Sequence, residues 1–158
     1  MALPGTAAFK LVCAVLAAAA CSTGVRAQSE GGLYIAGAGF SFQVAADRAM
    51  AQNAGGRRFF LLSLPPESRA LATTARPSMN ALRNRVLAAN GVLLVCQRDI
   101  DNRSIPAATL ASGVVAVRGW PGKGDEPLPD GERYFANESR AHLPADNEAL
   151  RRLRSACA

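Results

Sequence analysis

Most of the chemical interest of this chain lies in one cysteine. Cys96 ends the apolar run Val92-Leu-Leu-Val-Cys96 and precedes the polar stretch Gln97-Arg98-Asp99. At the carboxyl end of a strand in an open α/β sheet, a thiol stands where ligands enter. A neighbouring guanidinium such as that of Arg98, or a helix N-terminus, lowers a thiol's pKa and favours the nucleophilic thiolate. Cysteine in a strand is also commonly a small, inert, buried residue. Both readings stay open from these residues alone.

The other candidate groups point to less. Gly37-Ala-Gly39 follows an apolar run and precedes a helical pattern, where a dinucleotide fold puts its phosphate turn. The third glycine of that fingerprint falls on Phe42, and the second strand ends in Leu62-Ser63 with no acid. A tight turn is therefore the better reading, although backbone N–H groups at the helix start could hold an anion. There is no Gly-x-Ser-x-Gly elbow, and the single histidine, His142, lies in a polar tail. With one histidine and no carboxylate group to join it, neither a metal centre nor a cofactor is expected. Asn102-Arg-Ser104 and Asn137-Glu-Ser139 match a glycosylation sequon and are read as chance. Trp120 and Tyr134-Phe135 flank a Pro/Gly-rich stretch, and either line a pocket or anchor that stretch to the core. Gly37, Gly39, Arg98 and Trp120 are the candidate pocket residues.

These groups must be held by a scaffold, and 158 residues suit one domain with its own apolar core. Leu33–Ala36 reads as a buried first strand stopped by glycines. Phe40–Asn53 reads as an amphipathic helix capped by Ser41. Arg58–Ser63 is a second strand, broken by Pro65-Pro66. Glu67–Asn90 is helical with an interruption near Arg76-Pro77. Val92–Cys96 and Gly113–Val117 are third and fourth strands; the former is apolar without alternation, as in strands covered on both faces. A short helix is expected at Pro106–Leu110, within the polar connection between them. Segment 118–131 is a long loop, in which Pro121–Gly131 holds three prolines and three glycines. Glu132–Phe135 could form a short edge strand, and a last helix, which Asp146 can cap, spans residues 144–157. Strand–helix alternation predicts a single-domain, three-layer α/β sandwich with a mostly parallel sheet of four or five strands.

The first residues read as a secretory leader. A basic start with Lys10, the apolar stretch Leu11–Cys21 and the ending Val25-Arg-Ala27 predict cleavage that leaves Gln28 first. Ala18-Ala-Ala-Cys21 loosely matches a lipobox, which would instead lipidate Cys21. No run is long enough to suggest a transmembrane segment. A periplasmic or secreted location in a bacterium follows. Cleavage removes Lys10 and Arg26, so the basic count falls from 18 to 16 against 12 acids, a net charge of +4. That modest, arginine-borne charge does not mark a nucleic-acid binder. Arg151, Arg152 and Arg154 read as a solvated helix end.

The segment Ala89-Asn-Gly-Val-Leu-Leu-Val-Cys96, the polar stretch Gln97–Ser112 and the second glycine-led strand Gly113–Val117 together resemble the DsrE/DsrF/TusD-like sulfur-relay family. The resemblance spans Leu33–Val117 and implies a DsrE-like α/β fold. It also implies that Cys96 accepts and passes on sulfur as a persulfide, in a homo-oligomer or with a protein partner. Three features depart from the family pattern: the Arg118-Gly-Trp-Pro121 loop, the leader, and a second cysteine, Cys157. After cleavage Cys96 and Cys157 are the only cysteines, and in an oxidising compartment such a pair often bonds. Closing a loop of about sixty residues would contribute roughly 4 kcal/mol in the chain-entropy model. Two functions follow: sulfur transfer or thiol redox at Cys96, or a non-catalytic binding or assembly module with a structural Cys96–Cys157 bridge.

Overall fold

The structure is a computed structural model, and it describes residues 30–121 and 134–158. The expected leader, and the part of the Pro/Gly-rich loop within 122–133, lie outside the described residues. Four strands form one all-parallel sheet: β1 (Leu33–Ala36), β2 (Phe59–Ser63), β3 (Gly91–Cys96) and β4 (Val114–Val117). β2 and β3 are buried along their whole length, which explains their unbroken apolar sequence. β1 and β4 are the edges and are only partly covered.

The strands lie in the order β1-β2-β3-β4, so each connection steps one place in the same direction. Right-handed crossovers then place every connection on one face. On that face pack α1 (Phe42–Gln52), a 3₁₀ turn (Glu67–Leu71) and α2 (Pro77–Ala88). Their Phe42, Ala46, Leu71, Leu82 and Val86 meet Phe59, Leu61, Leu93 and Val95 of the sheet. Ile105, from the β3–β4 connection, joins the same core. The opposite face presents Leu33, Phe60, Leu62, Val92, Leu94, Cys96 and Val117. Among the described residues its cover comes from the C-terminal segment, through Leu143, Ala149, Leu153 and Cys157. The last helix, α4 (Asn147–Ala156), is therefore the third layer of the sandwich.

Local signals set the helix ends. Ser41 Oγ accepts the Val44 N–H (3.2 Å) and Asp146 Oδ2 accepts the Ala149 N–H (2.7 Å), as N-caps do. Pro77 opens α2, where its missing N–H leaves no bond unmade. The β3–β4 connection holds a one-turn helix, α3 (Gln97–Asp101), and a 3₁₀ turn at Ala107–Thr109. The predicted edge strand at Glu132–Phe135 does not form where it can be described. Tyr134–Asn137 turn instead, and the N–H of Arg118, just past β4, bonds a side chain, Glu138 Oε1 (2.7 Å).

One glycine sets the seat of α4. A Cβ on Gly119 would lie 2.0 Å from the Cys157 carbonyl carbon and 2.2 Å from the Ala158 nitrogen. Backbone there has no flexible side chain that could give way. Gly119→Ala is expected to destabilise the fold by about 1–3 kcal/mol, the usual range for overpacking. Urea unfolding should show the loss as a lowered midpoint. Gly55→Ala, which adds a Cβ in open space, should stay within about 0.5 kcal/mol of the parent.

Candidate functional site

The candidate site lies at the carboxyl ends of β3 and β4. Cys96 is the last residue of β3, opposite Val117 of β4, and its side chain joins the core beneath α4. Cys157, the C-cap of α4, is bonded to it in a disulfide with a Cα–Cα separation of 5.1 Å. Both residues are buried. Of the two readings of Cys96 that the sequence leaves open, the structure has the buried one, because the α4 face that covers this end of the sheet carries the second cysteine. Nor does the sheet offer the usual ligand crevice here, since that crevice forms where strand order reverses and this order never does.

Arg98 serves a different role from thiol activation. Its guanidinium donates to the Ala156 carbonyl (2.9 Å), in the last turn of α4. A helix end leaves such carbonyls without intrahelical partners, and a cation there also opposes the helix dipole. Arg98 also lies 3.6 Å from Asp99. Burial raises the Asp99 pKa, and the charge and hydrogen bonding of Arg98 pull it back only in part. Asp99 Oδ2 is buried without a hydrogen-bond partner.

A second arginine organises the surroundings. Arg154 is 4% exposed and forms an ion pair with Glu138 at 2.5 Å. It donates to the Arg118 carbonyl (2.6 Å), and its guanidinium lies 3.6 Å from the centre of the Phe135 ring. Phe135 meets Trp120 edge-on at 5.5 Å. The Trp120 N–H donates to the Arg154 carbonyl (3.3 Å). Arg118 donates from its side chain to the Tyr134 carbonyl (3.1 Å) and lies over that ring. This network ties the end of β4 and segment 134–138 to α4. Arg151 and Arg152 are exposed as expected, whereas Arg154 is buried, and the sequence carries a signal for the difference. Ala149, Leu150, Leu153, Arg154 and Cys157 share one helical stripe, so Arg154 falls on the apolar face.

The two larger cavities beside this network share a wall residue. One, of about 500 Å³, is lined by Gln97, Arg98, Arg118, Trp120, Tyr134 and Cys157 among others. The other, of about 1010 Å³, includes Trp120, Phe135, Arg140, Leu150 and Arg151 in its walls. Trp120, 44% exposed, stands in both walls. Chemically these cavities offer aromatic faces and guanidinium groups, together with the carboxylates of Asp101 in the smaller and Glu138 in the larger.

The structure does not bring the four candidate pocket residues together. Arg98 and Trp120 share the smaller cavity, whereas Gly37 lines a separate groove at β1, two strands or about 10 Å from β3. Gly39 lies in the turn that leads into α1. The start of α1 is already supplied with acceptors: Glu67 Oε2 takes the Phe42 N–H (2.7 Å) and Ser41 takes that of Val44. An anion there would have to displace them. His142 is exposed in a one-turn 3₁₀ segment. Among the described residues no group of three or more His, Cys, Asp or Glu side chains is placed to hold a metal ion.

Two outcomes follow. Arg154→Leu takes the cation from Glu138, which keeps only the Arg118 N–H, and should destabilise by about 3–5 kcal/mol; the double change with Glu138→Leu should restore part of that loss in urea unfolding. For Asp99 the folded pKa lies above the unfolded value of about 3.9. Its contribution to stability is therefore full below that value and is lost as pH rises through the folded pKa. Asp99→Asn should remove this component from unfolding midpoints measured between acidic and neutral pH. Comparison of the chain with protein-family models, curated proteins and solved structures finds no match.

Proposed function

We propose that the chain is an exported, non-catalytic binding or assembly module in which the Cys96–Cys157 disulfide is structural. The observation that carries this reading is the bond itself. It is buried and joins the end of the central sheet to the helix that covers its second face. A sulfur carrier needs a free, accessible thiolate, and a sulfur held in a disulfide is neither. The leader-like first residues support export, and an oxidising compartment is where such a bond persists. Among the described residues no helix is long and apolar enough to cross a membrane.

One observation favours a second reading, a DsrE-like protein with thiol exchange or persulfide transfer at Cys96. Cys157 lines the smaller cavity beside Arg98 and Arg118. A donor thiolate that reached the Cys157 sulfur from there would form a mixed disulfide with it and release Cys96 as the thiolate. The resemblance of Leu33–Val117 to sulfur-relay proteins supports this alternative.

Intact mass and thiol labelling of the exported protein separate the two. The module reading expects a chain that starts at Gln28, with both cysteines unlabelled until a denaturant and a reductant act together. It further expects Cys96→Ser with Cys157→Ser to lower stability by roughly 4 kcal/mol. Ready labelling of Cys96 in the folded state would reject it, as would gain of one sulfur from a persulfide donor by the parent but not by Cys96→Ser.

A further inference from the structure

Among the described residues β1 is an edge strand with no strand on its outer side. The Gly32 carbonyl accepts the Phe60 N–H (3.0 Å) and the Ala36 carbonyl accepts the Leu64 N–H (3.0 Å). Peptide groups at even positions therefore face β2. Alternation turns the N–H and C=O groups of Leu33 and Ile35 away from the sheet, where no described strand pairs with them. Natural proteins usually blunt such an edge. Here the neighbouring residues do the opposite.

The chain leaves β1 through a two-residue reverse turn. Gly37 and Phe40 exchange backbone bonds of 2.8 and 3.0 Å, with positive φ at Ala38 (48°) and Gly39 (97°). This turn fixes Phe40 beside the edge at 55% exposure, and Val44, one helical turn on, is 52% exposed. With Leu33, Ile35, Arg48 and Arg152 they line a groove of about 490 Å³. Tyr34 gives the groove a fixed wall, since its hydroxyl donates to Gln52 Oε1 (2.8 Å) and accepts from Asn53 Nδ2 (3.1 Å).

The charge in the groove has one sign. Arg48 comes from α1 and Arg152 from α4, on opposite faces of the sheet, and both are exposed. Among the described residues neither has a carboxylate within 4.0 Å, and no acid lines the groove. A second copy paired edge to edge would bring four arginines to one seam, with no groove acid to meet them. An extended peptide with acidic residues meets no such repulsion. We infer that the free edge of β1 takes up an extended, acidic peptide segment of a partner protein as an added strand. Its backbone bonds Leu33 and Ile35, its apolar side chains cover Phe40 and Val44, and its carboxylates meet Arg48 and Arg152. The inference rests on the binding-module reading and fails separately from it, because labelling of Cys96 tests that reading and the next experiment reads the β1 edge alone.

Random twelve-residue peptides displayed on phage would be panned on the disulfide-closed protein, with Ile35→Pro panned in parallel. That proline removes one outward N–H and takes no bond from β2. Enriched sequences are expected to combine acids with alternating apolar residues, and their synthetic copies to lose binding to Ile35→Pro. Arg48→Glu with Arg152→Glu, both exposed, should weaken binding about ten-fold, and peptides with lysine for the acids should bind this variant better than the parent. The Leu33 and Ile35 amides should gain protection from hydrogen exchange in the complex. The inference is overturned by a parent that enriches nothing beyond Ile35→Pro, or by peptides that ignore both variants. A dimer that closes this edge to peptides and dissociates on Ile35→Pro would overturn it too, assigning the edge to a second copy.

Discussion

When parallel strands lie in chain order and every crossover is right-handed, all the connecting helices fall on one face of the sheet. The other face then has no cover of its own. In this protein that face carries Phe60, Leu62, Leu94 and Val117, and leaving it wet would forfeit roughly 1.5–3 kcal/mol for each large side chain. The cover is α4, ten residues at the end of the chain. A helix of that length is marginal by itself and frays readily as a terminus. The fold therefore depends on how α4 is fastened to the sheet.

The residues at the carboxyl ends of β3 and β4 perform that fastening. The Cys96–Cys157 bond joins the helix end to β3, and Arg98 satisfies a last-turn carbonyl. Gly119 lets the two backbones meet. Arg154 carries its charge into the interface and is paired there by Glu138, the Arg118 carbonyl and the Phe135 ring. A buried pair of this kind adds little net stability over an apolar one, but each partner holds the other in place. This explains why residues that look reactive one at a time look structural together. Cys96, Arg98 and Trp120 all lie on the seam between sheet and last helix.

The same topology displaces the binding surfaces. Without a reversal of strand order, the middle of the sheet has no crevice. Open space is found at the two sides instead. Aromatic and guanidinium groups line the cavities beyond β4, and an apolar groove with an unpaired strand edge lies along β1.

Residue type and spacing alone determined the α/β class and the four strands. They also determined the break before Pro77, the Ser41 and Asp146 caps and the two cysteines that could bond. Each depends on neighbours within a few residues, or on an apolar run that only a doubly covered strand tolerates. Strand order was not legible, since sequential and reversed sheets share the same alternation of elements. From strand order follows which face lacks cover, and from that follow the burial of Cys96, the capping role of Arg98 and the ion pair of Arg154 with Glu138. The separation of Gly37 from Arg98 and Trp120 follows likewise. These are contacts between residues from 16 (Arg154 and Glu138) to 61 (Cys96 and Cys157) apart in the chain, or between strands that only the sheet makes neighbours. Their free energy arises from mutual burial, which no local pattern encodes, so the tertiary structure alone decided them.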